Sequence, residues 1–116
     1  MLDQKVAGLI NVQVNKEFYS AYLYLDFANY YREAELNGFA NWYQVQAQEE
    51  RDHAMLFIQY LQNNSGKVTL EAIDKPDKKF EDYVGPLKAG LEHEVYVTGL
   101  IHAIYDAAYS VKDFRT

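Results

Sequence analysis

Apolar residues recur at every third or fourth position over three long stretches of the sequence, and this spacing constrains the fold more than any other feature. Such a repeat places apolar side chains along one face of an α-helix. It predicts helices over about residues 2–35, 39–63 and 82–110. Helices of this kind must bury their apolar faces against one another, so we expect an all-α helix bundle forming a single domain over residues 1–116.

The connections between these stretches predict the directions of the helices. Asn37-Gly38 is expected to end the first helix, because glycine readily adopts the left-handed conformation of helix ends. So short a break makes the first two helices antiparallel neighbours. Residues 65–81 include Pro76 and form a long connection, which we expect to be extended or irregular. It can run back along the bundle and make the third helix parallel to the second.

The bundle predicted in this way is incomplete. Asp113 is expected to cap a further helix, but the sequence ends at Thr116. Three amphipathic helices leave a groove where a fourth would lie, and an open groove exposes apolar surface. We therefore expect either that the sequence is truncated before a fourth helix or that another chain closes the groove.

Composition excludes several classes of function. The net charge of −6 argues against nucleic acid as a partner and suits a protein that attracts cations. The sequence has no cysteine, so any metal must be held by oxygen and imidazole ligands. The N-terminus lacks the basic start of a signal peptide, and no apolar run is long enough to span a membrane. We expect a cytoplasmic protein with no membrane partner.

Four residues with metal-binding side chains occupy apolar stripes. Glu50 and His53 are three residues apart, so they project from the same face of the second helix. Glu17 and Glu94 lie on the apolar stripes of the first and third helices. Charges at core positions are costly unless they are paired or bind a metal, and no basic residue shares these stripes. We expect the four residues to face one another, with a donor set that suits iron, manganese or zinc.

Each candidate taken alone has a second interpretation. An interior glutamate can be a paired structural acid, and Glu-x-x-His spacing occurs by chance in many helical proteins. Tyr24, two turns after Glu17, is either a core tyrosine or a hydrogen-bond or electron donor beside the metal. Glu49 either faces solvent or binds a further metal ion. We expect His93 and His102 at a surface or an interface rather than as ligands.

Five stretches distributed over the whole sequence carry a resemblance to a known family. They are Glu17-Phe-Tyr-Ser-Ala-Tyr-Leu-Tyr-Leu, Gly38-Phe-Ala-Asn-Trp, Gln46-Ala-Gln-Glu-Glu-Arg-Asp-His-Ala, Gly66-Lys-Val-Thr-Leu-Glu-Ala-Ile-Asp-Lys-Pro, and His93-Glu94 followed by Val97-Thr98. In these stretches the sequence resembles the non-haem ferritins of bacteria and archaea. The resemblance implies a ferritin-like antiparallel helix bundle with a long crossover connection.

The resemblance also implies an activity and a set of metal ligands. Ferritins of this type are ferroxidases: they oxidise Fe(II) with O₂ or peroxide at a non-haem di-iron centre. They store the ferric product as mineral inside a homo-oligomeric shell of twenty-four subunits. By resemblance, Glu17, Glu50 and His53 bind the first iron, and Glu50 bridges to a second iron that Glu94 also holds. Tyr24 would then lie beside the pair.

Two departures from the family pattern modify these expectations. The fourth bundle helix and a short fifth helix are missing, which puts in doubt the accessory third site that Glu49 would serve and the complete shell. A dimer or a rearranged assembly is then plausible. Alternative functions are an assembly scaffold with weak or no ferroxidase activity and a non-catalytic helical interaction module. In haem-binding relatives a methionine of the second helix ligates the haem; Asp52 occupies the corresponding place, so we predict no haem.

Overall fold

The computed structural model describes residues 2–116 and contains three long α-helices. α1 spans Gln4–Glu33, α2 spans Asn37–Asn63 and α3 spans Gly85–Ser110. The predicted all-α bundle is confirmed, and the described residues 2–116 contain no strand. Within this described part, no helix combines the length and apolarity needed to cross a membrane.

The turn between α1 and α2 differs from the prediction. Asn37 and Gly38 do not end a helix, because both lie in the first turn of α2. Glu35 adopts the left-handed conformation instead, with a φ angle of 60°. The backbone N–H of Leu36 then donates to the carbonyl of Tyr31 at 2.9 Å, which satisfies one of the carbonyls left free at the helix end. Gly38 therefore does not mark the end of α1; the left-handed residue at that end is Glu35.

The connection between α2 and α3 runs along α1. The side-chain amides of Asn11 and Asn15 donate to the carbonyl of Thr69 at 3.2 and 3.0 Å, and the Thr69 N–H donates to Asn11 Oδ1 at 2.8 Å. Near the other end of α1, the Tyr31 hydroxyl donates to the carbonyl of Tyr83 at 2.6 Å. The connection therefore follows α1 towards its C-terminus. α3 then returns antiparallel to α1 and parallel to α2, as predicted.

Two apolar clusters form the core and lie at different levels of α1. One cluster contains Leu2, Val6, Ile10, Val14, Leu61, Ile104, Ala107 and Ala108. The other is rich in aromatic rings and contains Leu23, Tyr24, Phe27, Ala28, Tyr31, Ala40, Tyr43 and Ala47. Between the two clusters α1 places the buried polar side chains of Glu17 and Ser20. A polar layer therefore crosses the middle of the bundle.

The face of α3 that packs against α1 differs from the predicted one. The apolar repeat of α3 predicts a core-facing stripe through Leu91, Glu94 and Tyr105, but Leu91 is 69% exposed and Tyr105 is 65% exposed. The buried face runs instead through Gly90 and Ile104. α3 has apolar residues on two adjacent faces, and periodicity cannot tell which one meets α1. Tyr105 lines a groove of about 670 Å³ between α2 and α3, so the predicted groove is present.

Gly90 allows α3 to approach Tyr43 closely, and this contact generates a stability prediction. A Cβ atom at position 90 would lie 2.8 Å from the Tyr43 hydroxyl oxygen, which is buried and donates to the carbonyl of Pro86 at 3.3 Å. We expect Gly90→Ala to lower the free energy of unfolding by about 1 kcal/mol, because overpacking outweighs the helix propensity of alanine.

Gly99→Ala is the matched control, because a Cβ atom there would meet nothing within 4 Å. We expect it to raise the free energy of unfolding by about 0.5–1 kcal/mol. Urea denaturation measures both values. Equal stabilisation by the two substitutions would show that Tyr43 moves aside without cost.

Candidate metal centre

Glu17, Glu50 and His53 come together in the polar layer of the bundle. Each offers one possible ligand atom, and these atoms all lie within 4.8 Å of one another. Nδ1 of His53 is 3.4 Å from Oε2 of Glu50 and 3.9 Å from Oε2 of Glu17. α2 presents Glu50 and His53 one turn apart, and α1 presents Glu17 opposite them. The structure thus brings together three of the four residues that the sequence singled out.

Glu17 is the most buried member of the group, with 3% of its surface exposed. Gln13, one turn earlier on α1, donates from Nε2 to Oε1 of Glu17 at 2.8 Å. Oε2 of Glu17 is buried and has no hydrogen-bond partner among the described residues. A buried carboxylate oxygen without a partner is costly. A cation between Glu17, Glu50 and His53 would satisfy it, so the donor set fits a metal ion.

The acidic surroundings of Glu50 strongly change its proton affinity. Burial is the largest cause, and the proximity of Glu17 and the charges of Glu17, Glu94 and Glu49 act in the same direction. Together they raise the pKa of Glu50 from 4.5 to about 9. In the metal-free protein this carboxyl group therefore holds a proton at neutral pH. Because a carboxylate must lose its proton to bind a metal, metal binding at Glu50 is linked to proton release.

Glu94 reaches the same groove from α3 but lies outside the group of three. The hydroxyl of Tyr24 donates to Oε1 of Glu94 at 2.5 Å. Tyr24 is buried, and burial together with this hydrogen bond raises the pKa of its hydroxyl above the ordinary value. Tyr24 therefore stays a neutral hydrogen-bond donor that holds one oxygen of Glu94. The carboxylate of Glu94 is exposed and lines the groove beside the other three residues.

The remaining candidates lie in different surroundings. Glu49 is exposed on α2 and His102 is exposed on α3, and the role of Glu49 at a further metal ion stays a prediction. His93 lies between α1 and α3, where its Nε2 is 2.6 Å from Oγ of Ser20. Neither Ser20 nor Gln13 was singled out from the sequence. Gln13 could have been, because it precedes Glu17 by one turn on the same helix face.

The raised pKa of Glu50 predicts how the stability of the metal-free protein changes with pH. Above about pH 4.5 the unfolded chain releases the proton that folded Glu50 keeps up to about pH 9. The contribution of protonated Glu50 to stability is therefore complete below pH 4.5 and is lost as the pH rises towards 9. As the pH rises from 4.5 to about 9, we expect the free energy of unfolding of the parent protein to fall relative to that of Glu50→Gln. The fall is at most about 1.4 kcal/mol per pH unit.

Urea denaturation at several pH values, in the presence of a chelator, measures this difference. Glu92→Gln, at an exposed position of α3, is the control and should differ from the parent by a constant amount. A constant difference for Glu50→Gln as well would contradict the raised pKa.

Comparisons with known proteins agree with this arrangement. Residues 7–116 match the ferritin-like domain family. The bacterial non-heme ferritin of Campylobacter jejuni is 33% identical over 116 residues, which are all of this chain and 70% of the relative. An open pore ferritin of Archaeoglobus fulgidus is 38% identical with a TM-score of 0.95, and the match covers 99% of this chain and 71% of that one. The ferritin of Chlorobium tepidum is 27% identical with a TM-score of 0.95 over the same shares of the two chains. The chain belongs to the ferritin family.

Proposed function

We propose that the chain binds Fe(II) as its substrate at Glu17, Glu50 and His53 and oxidises it to Fe(III) for storage. The observation that carries this proposal is the buried Oε2 of Glu17, which has no partner among the described residues and lies beside Glu50 and His53. A set of carboxylates with one imidazole suits iron. Oxygen donors also stabilise Fe(III) more than Fe(II), because the more highly charged ion gains more from them.

A second Fe(II) ion would bind between Glu50 and Glu94. The charges of Glu17 and Glu94 both act on Glu50, which supports a bridging role for its carboxylate. Carboxylate-bridged pairs hold their ions about 3.5–4 Å apart, so both can react with one oxidant molecule. Two Fe(II) ions each release one electron, and O₂ accepts both electrons with two protons to give H₂O₂. When peroxide is the oxidant, the same two electrons and two protons convert it to water.

The chain's own residues prepare this reaction. Binding of a cation displaces the proton of Glu50, which supplies one of the protons that the reduced oxidant needs. Tyr24 keeps the carboxylate of Glu94 in place through its hydrogen bond. The side chain of His53 is 52% exposed, so Fe(II) and the oxidant reach the centre through the groove.

Storage of the ferric product requires a compartment, which self-association would supply. The single chain leaves large apolar residues exposed on α1 and α2. Tyr22 and Leu25 lie three residues apart on α1, and Trp42 and Val45 lie three residues apart on α2. Association of chains through these faces would remove this apolar surface from water. We therefore expect a homo-oligomer in which iron is retained; without retention the chain would act as an iron-binding scaffold.

Substitution of His53 tests the proposed iron site directly. We expect His53→Ala to lower the rate of Fe(II) oxidation at least tenfold. Removal of a residue that only hydrogen-bonds to a metal ligand typically lowers activity about 10- to 100-fold, and removal of the ligand itself should cost at least as much. The ultraviolet absorbance of the ferric product measures the rate. His102→Ala, on the exposed face of α3, should retain the parental rate. A parental rate in His53→Ala would show that iron is oxidised elsewhere.

The solution mass tests the storage part of the proposal separately. We expect light scattering to give a mass of many chains, each of 13.5 kDa, and iron to co-elute with that assembly. Trp42→Glu should reduce the mass, because a charge at an apolar contact disfavours association. A single-chain mass with parental oxidation would contradict storage and leave iron oxidation standing.

A further inference from the structure

Ser20 and His93 form a hydrogen-bonded pair between α1 and α3. Oγ of Ser20 lies 2.6 Å from Nε2 of His93 and 2.9 Å from the carbonyl oxygen of Lys16. The hydroxyl has one proton and a carbonyl can only accept, so Ser20 donates to Lys16 and accepts from His93. His93 therefore carries a proton on Nε2 and donates it to Ser20. Ser20 is 1% exposed, so water does not compete for this hydrogen bond.

Three tyrosine rings enclose the imidazole of His93. The ring centroids of Tyr19, Tyr24 and Tyr96 lie 5.8, 5.9 and 6.0 Å from that of His93. The ring of Tyr24 meets the imidazole edge to face, at an interplanar angle of 86°. These contacts restrict the orientation of His93. They also connect it to the residue that holds Glu94.

Two adjacent residues of α3 thus form hydrogen bonds with α1: His93 with Ser20, and Glu94 with Tyr24. Adjacent side chains on an α-helix point about 100° apart, so the two bonds together fix the rotation of α3 about its own axis. A carboxylate about 6 Å from the helix axis moves by about 1 Å for a rotation of about 10°. A displacement of about 1 Å can lower a rate about a hundredfold.

The open groove makes this restraint important. On the groove side of α3, Tyr105 is 65% exposed, so packing there does little to oppose rotation. Near the start of α3, the buried Gly90 lies against Tyr43 of α2 and has no side chain of its own. Ile104, Ala107 and Ala108 pack against the first apolar cluster further along α3, so at the level of the iron site the two hydrogen bonds supply the remaining restraint on the orientation of the helix.

We propose that His93 is a positioning residue: its hydrogen bond to Ser20 sets the rotation of α3 and so holds the carboxylate of Glu94 where a second Fe(II) ion binds. The inference rests on the proposed function, because it concerns the part that Glu94 has there. His93 does not contact the ion. It acts through the helix that carries Glu94.

Four variants separate the hydrogen bond from the packing of the ring. His93→Phe keeps a ring between the tyrosines but has no donor. His93→Gln keeps an N–H donor at a similar reach and loses the ring. Ser20→Ala removes the acceptor and disturbs α1 little, because a serine bond to the carbonyl four residues earlier does not stabilise a helix. His102→Phe, at an exposed position of α3, is the control.

Titration of the metal-free protein with Co(II), followed by visible absorption, measures both binding steps without iron oxidation. We expect the first ion, at Glu17, Glu50 and His53, to bind the parent and all variants equally. The second ion should bind His93→Phe and Ser20→Ala about 10- to 100-fold more weakly. His93→Gln should restore most of the affinity, and the control should match the parent. The rate of Fe(II) oxidation should follow the affinity for the second ion.

Equal affinity for the second ion in the parent, His93→Phe and Ser20→Ala would overturn the inference and leave the proposed function standing. Equally weak binding by His93→Gln and His93→Phe would also overturn it, because the ring and not the hydrogen bond would then position Glu94. A parent that binds no Co(II) would contradict the proposed function itself. Ser20→Ala keeps the test decisive if a substitution at position 93 prevents folding.

Discussion

The carboxylate of Glu17, buried in the middle of a long helix, is the constraint on which the rest of the structure depends. A charge in this place requires a cation or a nearby proton. The chain provides for both conditions: the neighbouring Glu50 holds a proton in the metal-free state, and His53 with Glu50 offers further donors when a cation is bound. Gln13 donates a hydrogen bond to the other carboxylate oxygen of Glu17, Oε1. A centre of this kind can exchange a proton for a cation.

The two apolar clusters keep this polar layer in position. α1 contributes to both of them, packs against α2 and α3, and anchors the connection between those helices. α2 and α3 stand on either side of the groove. This arrangement combines a rigid backbone for Glu17 with access for solvent at His53. A tightly closed bundle would provide the first property without the second.

Much of the candidate site can be predicted from the sequence, because ionisable side chains on an apolar helix stripe are costly to bury unless they meet a partner or a metal ion. Glu50 and His53 are also three residues apart, so they share one face of α2. Glu17, Glu50 and His53 were found in this way. The face of α3 was not, because that helix has two adjacent apolar faces and only packing selects between them. The hydrogen bond between Ser20 and His93 could not be predicted for a related reason. A hydrogen bond between two helices depends on their relative rotation, and the spacing of apolar residues does not determine that rotation.

The long connection along α1 also bears on the order in which the site forms and opens. α1 and α2 are joined by a short turn and make a helical hairpin from contiguous residues, whereas residues 64–84 separate α3 from this hairpin. Contacts close in sequence form early and those of low local stability open first. Glu17, Glu50 and His53 all belong to the hairpin, so undocking of α3 leaves these three residues together and withdraws only Glu94. Under the proposed function, a partly opened chain would keep the residues of the first ion site and lose only the carboxylate of the second.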